Sequence, residues 1–352
     1  MNRSSGPRSF NTVKRSNRQA RLKRRQQGRI VLLAICAALL LLAVSGLGLL
    51  IGNVAVALRG RAQTPTPPTG NGTDPTPTLT YSQVSLPYAD IRTGELIVVN
   101  KNYVYTFPAT RLENLDADSK LAYDLTQYRQ SMGGVNPYYL NLTKTLLMQP
   151  KAAQALNAML TQYYTLSGDP TVTVFDAYRS AEDQQGSGSL APGYSEHHTA
   201  LNVRLRVLAS NKTYADLNAN THPWIYEHCH EYGFIQRYPA NKVGQTQIEN
   251  YGECFRYVGV AHATYIKQNN LCLEEYVKLL RDNHTSALGT DGKHLPIDTN
   301  GDGAADYEVY YVPASTGAIA LTSVPGPTDH AYTVSGDNIG GFIVTVHLNT
   351  AK

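Results

Sequence analysis

Two short stretches decide the reading of this chain: Tyr232-Gly233-Phe234-Ile235-Gln236-Arg237-Tyr238-Pro239 and, further on, Phe255-Arg256-Tyr257-Val258-Gly259. The first follows a segment, Pro223 to Tyr232, that opens with proline and closes on Gly233. Proline at the first turn and glycine just past the last are helix boundary signals, so a helix is predicted there. Cys254 to Val258 then reads as a strand, and Val260 to Asn269 and Leu273 to Asp282 as helices.

Upstream, Thr171 to Phe175 (TVTVF) alternates and is β-branched, which predicts a strand. Thr199 to Leu208 contains another, with Leu201, Val203, Leu205 and Val207 on one face. Pro150 to Thr165 carries Ala152, Leu156, Met159 and Leu160 on one helical stripe, and Ala117 to Ser131 has the same period. Leu96 to Asn100 reads as a short strand. After Lys293 the chain turns to β, with strands over Tyr307 to Val312 and Gly341 to Leu348. Helices and strands mix without a strict βαβ rhythm, so the predicted class is α+β.

Four segments carry a resemblance: Phe175-Asp176-Ala177-Tyr178-Arg179-Ser180, Pro192-Gly193-Tyr194-Ser195-Glu196-His197-His198-Thr199, and the two opening stretches. In order and spacing they resemble the VanY-type D-alanyl-D-alanine carboxypeptidases, zinc peptidases that trim peptidoglycan stem peptides, over about residues 95 to 282. The resemblance implies the D-Ala-D-Ala carboxypeptidase/hedgehog-like peptidase fold, a bacterial cell envelope and a peptide ligand. It also implies three zinc ligands and a glutamate general base. Such a site leaves one position for a water whose pKa the metal lowers.

Carried over residue by residue, the implied zinc positions fall on His197, Arg204 and Cys254, and the general-base position on Tyr251. Only His197 matches. A guanidinium in place of a carboxylate turns attraction for a dication into repulsion, and at an effective dielectric near 20 each unit charge at 4 Å contributes about 4 kcal/mol. Loss of the family's zinc is therefore expected, with no functional catalytic residue. Tyr178, Arg179, Ser180, Gln184 and Ser195 match the substrate-binding positions, with Arg179 able to hold a carboxylate. His198, His228, His230 and Glu253 are the groups from which a rebuilt zinc site would have to draw, but strand alternation predicts that His198 faces away from His197.

The N-terminal end has a different composition. Residues 1–29 hold ten Lys or Arg, and residues 1–61 contain no Asp or Glu. Residues 30–58 are apolar or small throughout, longer than the roughly 20 a helix needs to cross a bilayer. A cytoplasmic basic tail, one transmembrane helix and an extracytoplasmic main domain are predicted. Residues 59–80 form a Pro/Thr-rich linker, residues 81–284 the peptidase-like domain, and 285–352 a β-rich C-terminal extension. Twelve of the 31 basic residues precede residue 62, leaving 19 basic against 27 acidic beyond it. No basic face for nucleic acid is expected there.

Three of the four cysteines lie beyond the span, and with Cys254 at a family ligand position the expected disulfide is Cys229–Cys272. Asp298, Asn300, Asp302 and Asp306 have the spacing of a calcium loop around Gly303, although position twelve is Val309 and the flanks read as strands. The functional expectation is a zinc-free pseudoenzyme, anchored in the cell membrane by a single span, that binds peptidoglycan stem peptide or a cell-envelope partner. The alternatives are an active metallo-D,D-carboxypeptidase with a rebuilt site and a structural cell-surface module.

Overall fold

The helices begin and end where the backbone chemistry allows. The structure, a computed structural model, describes residues 81–107, 123–134, 136–187, 190–249, 251–286, 293–317 and 320–351. The basic tail, the predicted span and the linker, residues 1–80, lie outside these. No helix among the described residues is long and apolar enough to cross a membrane.

In chain order the elements are β1 (Tyr81–Pro87), β2 (Tyr123–Asp124), α1 (Leu125–Met132), β3 (Tyr139–Leu140), β4 (Leu147–Met148), α2 (Pro150–Ser167), β5 (Val172–Asp176) and α3 (Ala181–Ser187). There follow β6 (Asn202–Leu208), β7 (Tyr214–Asp216), α4 (Pro223–His228), β8 (Phe234–Tyr238), β9 (Tyr251–Tyr257), α5 (Val260–Gln268) and α6 (Leu273–Asn283). The extension contributes β10 (Leu295–Ile297), β11 (Tyr307–Pro313), β12 (Leu321–Pro327), β13 (His330–Gly336) and β14 (Gly341–Ala351).

The central sheet has six strands in the order β3-β5-β6-β9-β8, with β7 added on β6. Helix α2 starts with Pro150 at its first position and stops at Gly168, whose φ of 70° is left-handed. Its stripe of Ala152, Leu156, Met159, Leu160 and Tyr163 packs on Val172, Val174, Val203, Leu205, Phe234 and Phe255 of the sheet. Each such large apolar side chain, once buried, contributes roughly 1.5–3 kcal/mol. Strand β6 pairs antiparallel with β9, setting Asn202 opposite Arg256, Val203 opposite Phe255 and Arg204 opposite Cys254. Val203, Leu205 and Phe255 enter the core, so the alternate positions Asn202, Arg204 and Cys254 face the other way.

The predicted helices over 150–165, 260–269 and 273–282 and the strands over 171–175, 307–312 and 341–348 are present within two or three residues. The helix predicted over 117–131 starts at Leu125, because Asp124 caps it by accepting from the amides of Thr126 and Gln127; residues 117–122 lie outside the described residues. Leu96 to Asn100 is extended and buried but is no strand: Leu96 N–H donates to Ser335 Oγ and Val98 N–H to the Asp337 carbonyl, so its amides are satisfied outside any ladder.

The extension forms a second sheet, β10-β11-β14-β13. One set of its apolar residues, among them Leu295, Val309, Tyr311 and Ile343, joins Ile266, Tyr276, Val277 and Leu280 of α5 and α6 in a common core. Strand β1 pairs antiparallel with β12 over Tyr81–Pro87, and Val324 of β12 packs on Val344 and Phe342 of the sheet. At Gly336 a Cβ would overlap the Ile91 backbone, so this crossing requires glycine.

A buried ion network ties the parts together. Glu196, 1% exposed, accepts from Arg237 Nε at 3.0 Å and from Arg256, both fully buried. Arg237 continues to Glu274 at 2.9 and 2.6 Å. Arg256 Nη2 donates to the carbonyls of Glu95 and Ile97. Removing one partner from such a set leaves an uncompensated buried charge. Glu196→Ala is expected to lower unfolding stability by about 3–5 kcal/mol, read as a shift of the urea midpoint with the slope unchanged.

Candidate functional site

Seven of the residues singled out in the sequence line one cavity of about 110 Å³: Arg179, Gln184, Ser195, His197, Arg204, Tyr251 and Cys254. Leu190, Tyr238 and Ile248 supply its apolar wall. Strand register brings Arg204 and Cys254 together, and a 3-10 turn, Glu196–Thr199, delivers His197. Ser195 caps that turn, its Oγ accepting from the His197 amide at 3.3 Å. Tyr178 and Ser180 are set aside from this cavity. The Tyr178 amide donates to the Leu147 carbonyl, and Ser180 exchanges hydrogen bonds with Asp183 at the start of α3.

His197 Nδ1 donates to the Ala177 carbonyl, and Nε2 accepts from Asn202 Nδ2 at 3.3 Å. Burial, reinforced by the Arg179 cation, holds its pKa down to about 4, so the ring is neutral at pH 7. Burial pushes the Cys254 thiol up to about 12, with Glu253 adding to the shift. Arg204 is paired: its Nε and Nη2 both donate to one oxygen of Glu253, at 2.9 and 2.5 Å. The Tyr251 ring lies 5.1 Å from the guanidinium carbon and Phe175 5.7 Å. Arg179 is also paired, donating to Asp176 at 3.0 and 2.5 Å and to Gln184 Oε1 at 3.1 Å, while Lys144 reaches Asp176 at 2.6 Å.

The zinc that the resemblance implies does not fit these residues. The position of one ligand holds a cation, the thiol is protonated, and the His197 lone pair already receives the Asn202 amide. Among the described residues no three His, Cys, Asp or Glu side chains come together to hold a metal ion. His198 does not line the cavity, and it sits in the same 3-10 turn as His197 rather than in a strand. Its Nδ1 meets the Arg179 carbonyl and its ring packs against Tyr105 and Phe107. His228 pairs with Glu231 and stacks on Trp224, away from the cavity lining.

Two other expectations fall on residues outside this cavity. The Cys229–Cys272 disulfide is absent: Cys229, Cys254 and Cys272 are all free and buried. Cys229 packs in the main core, whereas Cys272 is the N-cap of α6 in a capping box with Glu275. The candidate calcium loop is the tip of the β10–β11 hairpin. There Asp298 accepts from the amides of Asn300, Gly301 and Gly303, and Asp306 accepts from Thr299, Asn300 and Asn349. Asp298 is thus engaged by the loop's own amides, and Asp306 also by Asn349 of β14.

Sequence reasoning missed Asp176 as the partner of Arg179, Asn202 as the partner of His197, and Glu253 as the counter-ion of Arg204. The three-residue spacing of Asp176 and Arg179 was a usable signal. The other two contacts follow from the turn and from strand register, which no local pattern reveals.

Comparison with known proteins finds similarity in sequence and in fold. A family profile described as VanY, D-alanyl-D-alanine carboxypeptidase, matches residues 186–260. A D-alanyl-D-alanine carboxypeptidase of Enterococcus faecium is 29% identical over 271 residues, 74% of this chain and 78% of that protein. One of Enterococcus faecalis is 37% identical over 86 residues, 24% of this chain and 31% of that protein. Among solved structures, the vancomycin-resistance D,D-dipeptidase VanXYg, in complex with a D-Ala-D-Ala phosphinate analogue, shares the fold with a TM-score of 0.60. It covers 76% of this chain and 99% of its own length at 24% identity. Residues 186–260 thus match the VanY D-alanyl-D-alanine carboxypeptidase family, and the chain is similar to such a carboxypeptidase over 271 residues.

Two outcomes are expected from the electrostatics. His197 titrates near 6.5 when unfolded and about 4 when folded, so the unfolded chain binds the proton first. Stability is then lost as pH falls from about 6.5 to about 4, on the order of 3 kcal/mol from this group. His197→Gln should flatten that limb of a urea-midpoint profile. Alkylation at neutral pH with residue-level mass mapping should leave Cys229, Cys254 and Cys272 unmodified in the native chain and modify all three in unreduced denaturant.

Proposed function

We propose that this chain is a membrane-anchored, zinc-free member of the family that holds a peptidoglycan stem peptide by its carboxylate end and does not hydrolyse it. The observation that carries this reading is the Arg204–Glu253 ion pair at the position where the family has a metal ligand. Without a metal at that position the chain has no polarised water, and Tyr251 offers no carboxylate to take its proton. Arg179, by contrast, keeps its place on the cavity wall, oriented by Asp176 and Gln184.

The ligand class follows from the relatives, which are D-alanyl-D-alanine carboxypeptidases by name. A terminal carboxylate would meet the charged donors of Arg179, while the aliphatic side chain would lie against Leu190, Tyr238 and Ile248. The anchor reading rests on the basic residues 1–29 and the apolar run 30–58, which would hold the domain outside the cytoplasmic membrane close to its ligand.

Calorimetric titration of the full chain with a stem pentapeptide ending in D-Ala-D-Ala tests the reading. Saturable binding without release of D-alanine is expected. Arg179→Ala should weaken binding by roughly 10- to 100-fold, the loss of a charge-assisted hydrogen bond. Zinc-dependent release of D-alanine, or no binding by the native chain, would refute it.

A further inference from the structure

The Arg204 guanidinium is held from several sides. Glu253 accepts two of its N–H groups, the rings of Tyr251 and Phe175 lie against it, and Asp216 lies 4.0 Å from Nη2. Three acceptors stand in or beside the cavity that Arg204 lines. Cys254 is directly across the ladder. His197 Nε2 has no N–H of its own, because Nδ1 makes the bond to Ala177. Asn202 is fully buried, and its Oδ1 has no hydrogen-bond partner. An unpartnered buried oxygen is uncommon in a folded protein and marks a place arranged for a donor or a cation.

The charge count is as informative as the geometry. Arg204 and Glu253 cancel. A dication entering beside them would meet a guanidinium and only two donor side chains, His197 and Cys254. His197 has its tautomer set by the Ala177 carbonyl, which is how metal-binding histidines are oriented, and its Nε2 would exchange the 3.3 Å contact with the Asn202 amide for a metal.

We infer that Arg204 is a built-in replacement for a metal ion and the main electrostatic barrier to one in this cavity, and that a transition-metal site with His197 and Cys254 as ligands lies latent beneath it. The inference concerns the donor set alone and does not depend on a peptide binding to the cavity. Arg204→Asp supplies a third donor opposite Cys254, removes the cation and releases Glu253. With a thiolate at Cys254 the local carboxylate and thiolate charge then exceeds that of one dication. The mixed nitrogen, sulfur and oxygen set suits zinc and cobalt.

The test is metal binding by the full-length chain, using zinc in equilibrium dialysis and cobalt as a visible reporter of thiolate ligation. The native chain is expected to retain no stoichiometric metal and to give no thiolate–cobalt charge-transfer band. Arg204→Asp should bind one zinc, roughly 100-fold or more tighter than the native chain. It should also show the cobalt band, and Cys254→Ser on that background should abolish the band. Arg204→Leu, which removes the cation without adding a donor, should not reproduce the site; equal binding by this variant would overturn the assignment of position 204 as a ligand position. One zinc bound tightly by the native chain and lost on His197→Ala would overturn the inference outright, as would a folded Arg204→Asp chain that binds none. Should Arg204→Asp fail to fold with or without zinc, Arg204→His decides in its place: one bound zinc supports the inference and none overturns it. Neither result moves with peptide affinity, so the binding reading stands or falls separately.

Discussion

Glu196 is the constraint on which the rest of the structure depends. It sits between two fully buried arginines, one on β8 and one on β9, and through Arg237 it is linked to Glu274 at the start of α6. Two positive and two negative groups make the set neutral, and the Arg256 donors that remain are taken by backbone carbonyls. Buried charges of this kind cost several kcal/mol each unless fully partnered, which is why the set tolerates no looseness. The next residue after Glu196 is His197. One side of a four-residue turn is therefore locked into the interior while the other presents an imidazole to the cavity, and the rigidity of the first is inherited by the second.

This also explains what the opening sequence stretches are for. Arg237 and Arg256 mark the family in the sequence, yet neither touches the cavity. They are scaffold: each is fully buried and bonded to Glu196. Arg179 and Arg204, which do line the cavity, each have a carboxylate of their own. Lys144 and Arg179 share Asp176, and Arg204 meets Glu253 with Asp216 4.0 Å away, so an incoming anion meets charged donors in a region of small net charge. Discrimination there rests on hydrogen-bond geometry rather than on a strong attractive field.

Periodicity was sufficient for α2, α5, α6, β5 and β6, because each buries one face against a large core. It failed at Leu96–Asn100, where burial is as complete as in a strand but the amides bond to a side chain and to a loop carbonyl. The cavity composition was readable from ungapped spacing, since β6 and β9 pair without a bulge between Arg204 and Asn202. Its electrostatics were not. Arg204 and Glu253 are 49 residues apart, and only the sheet brings them together. The expected disulfide erred for a similar reason: counting cysteines says nothing about which of them a core or a helix cap has already taken.

Strand β1 has a consequence for the order of events as the chain is made. Its partner β12 lies some 240 residues downstream, Ser82 meeting Gly326 across a separation of 244. During synthesis the first described strand must wait, unpaired, while the whole central sheet and its helices emerge. Contacts of such long sequence separation close late and slow the final step of folding. The extension is thus the closing piece of the domain: until its last strands are complete, the apolar faces of α5 and α6 and the edge of β1 stay uncovered, and the chain remains in the hands of whatever guards nascent surfaces.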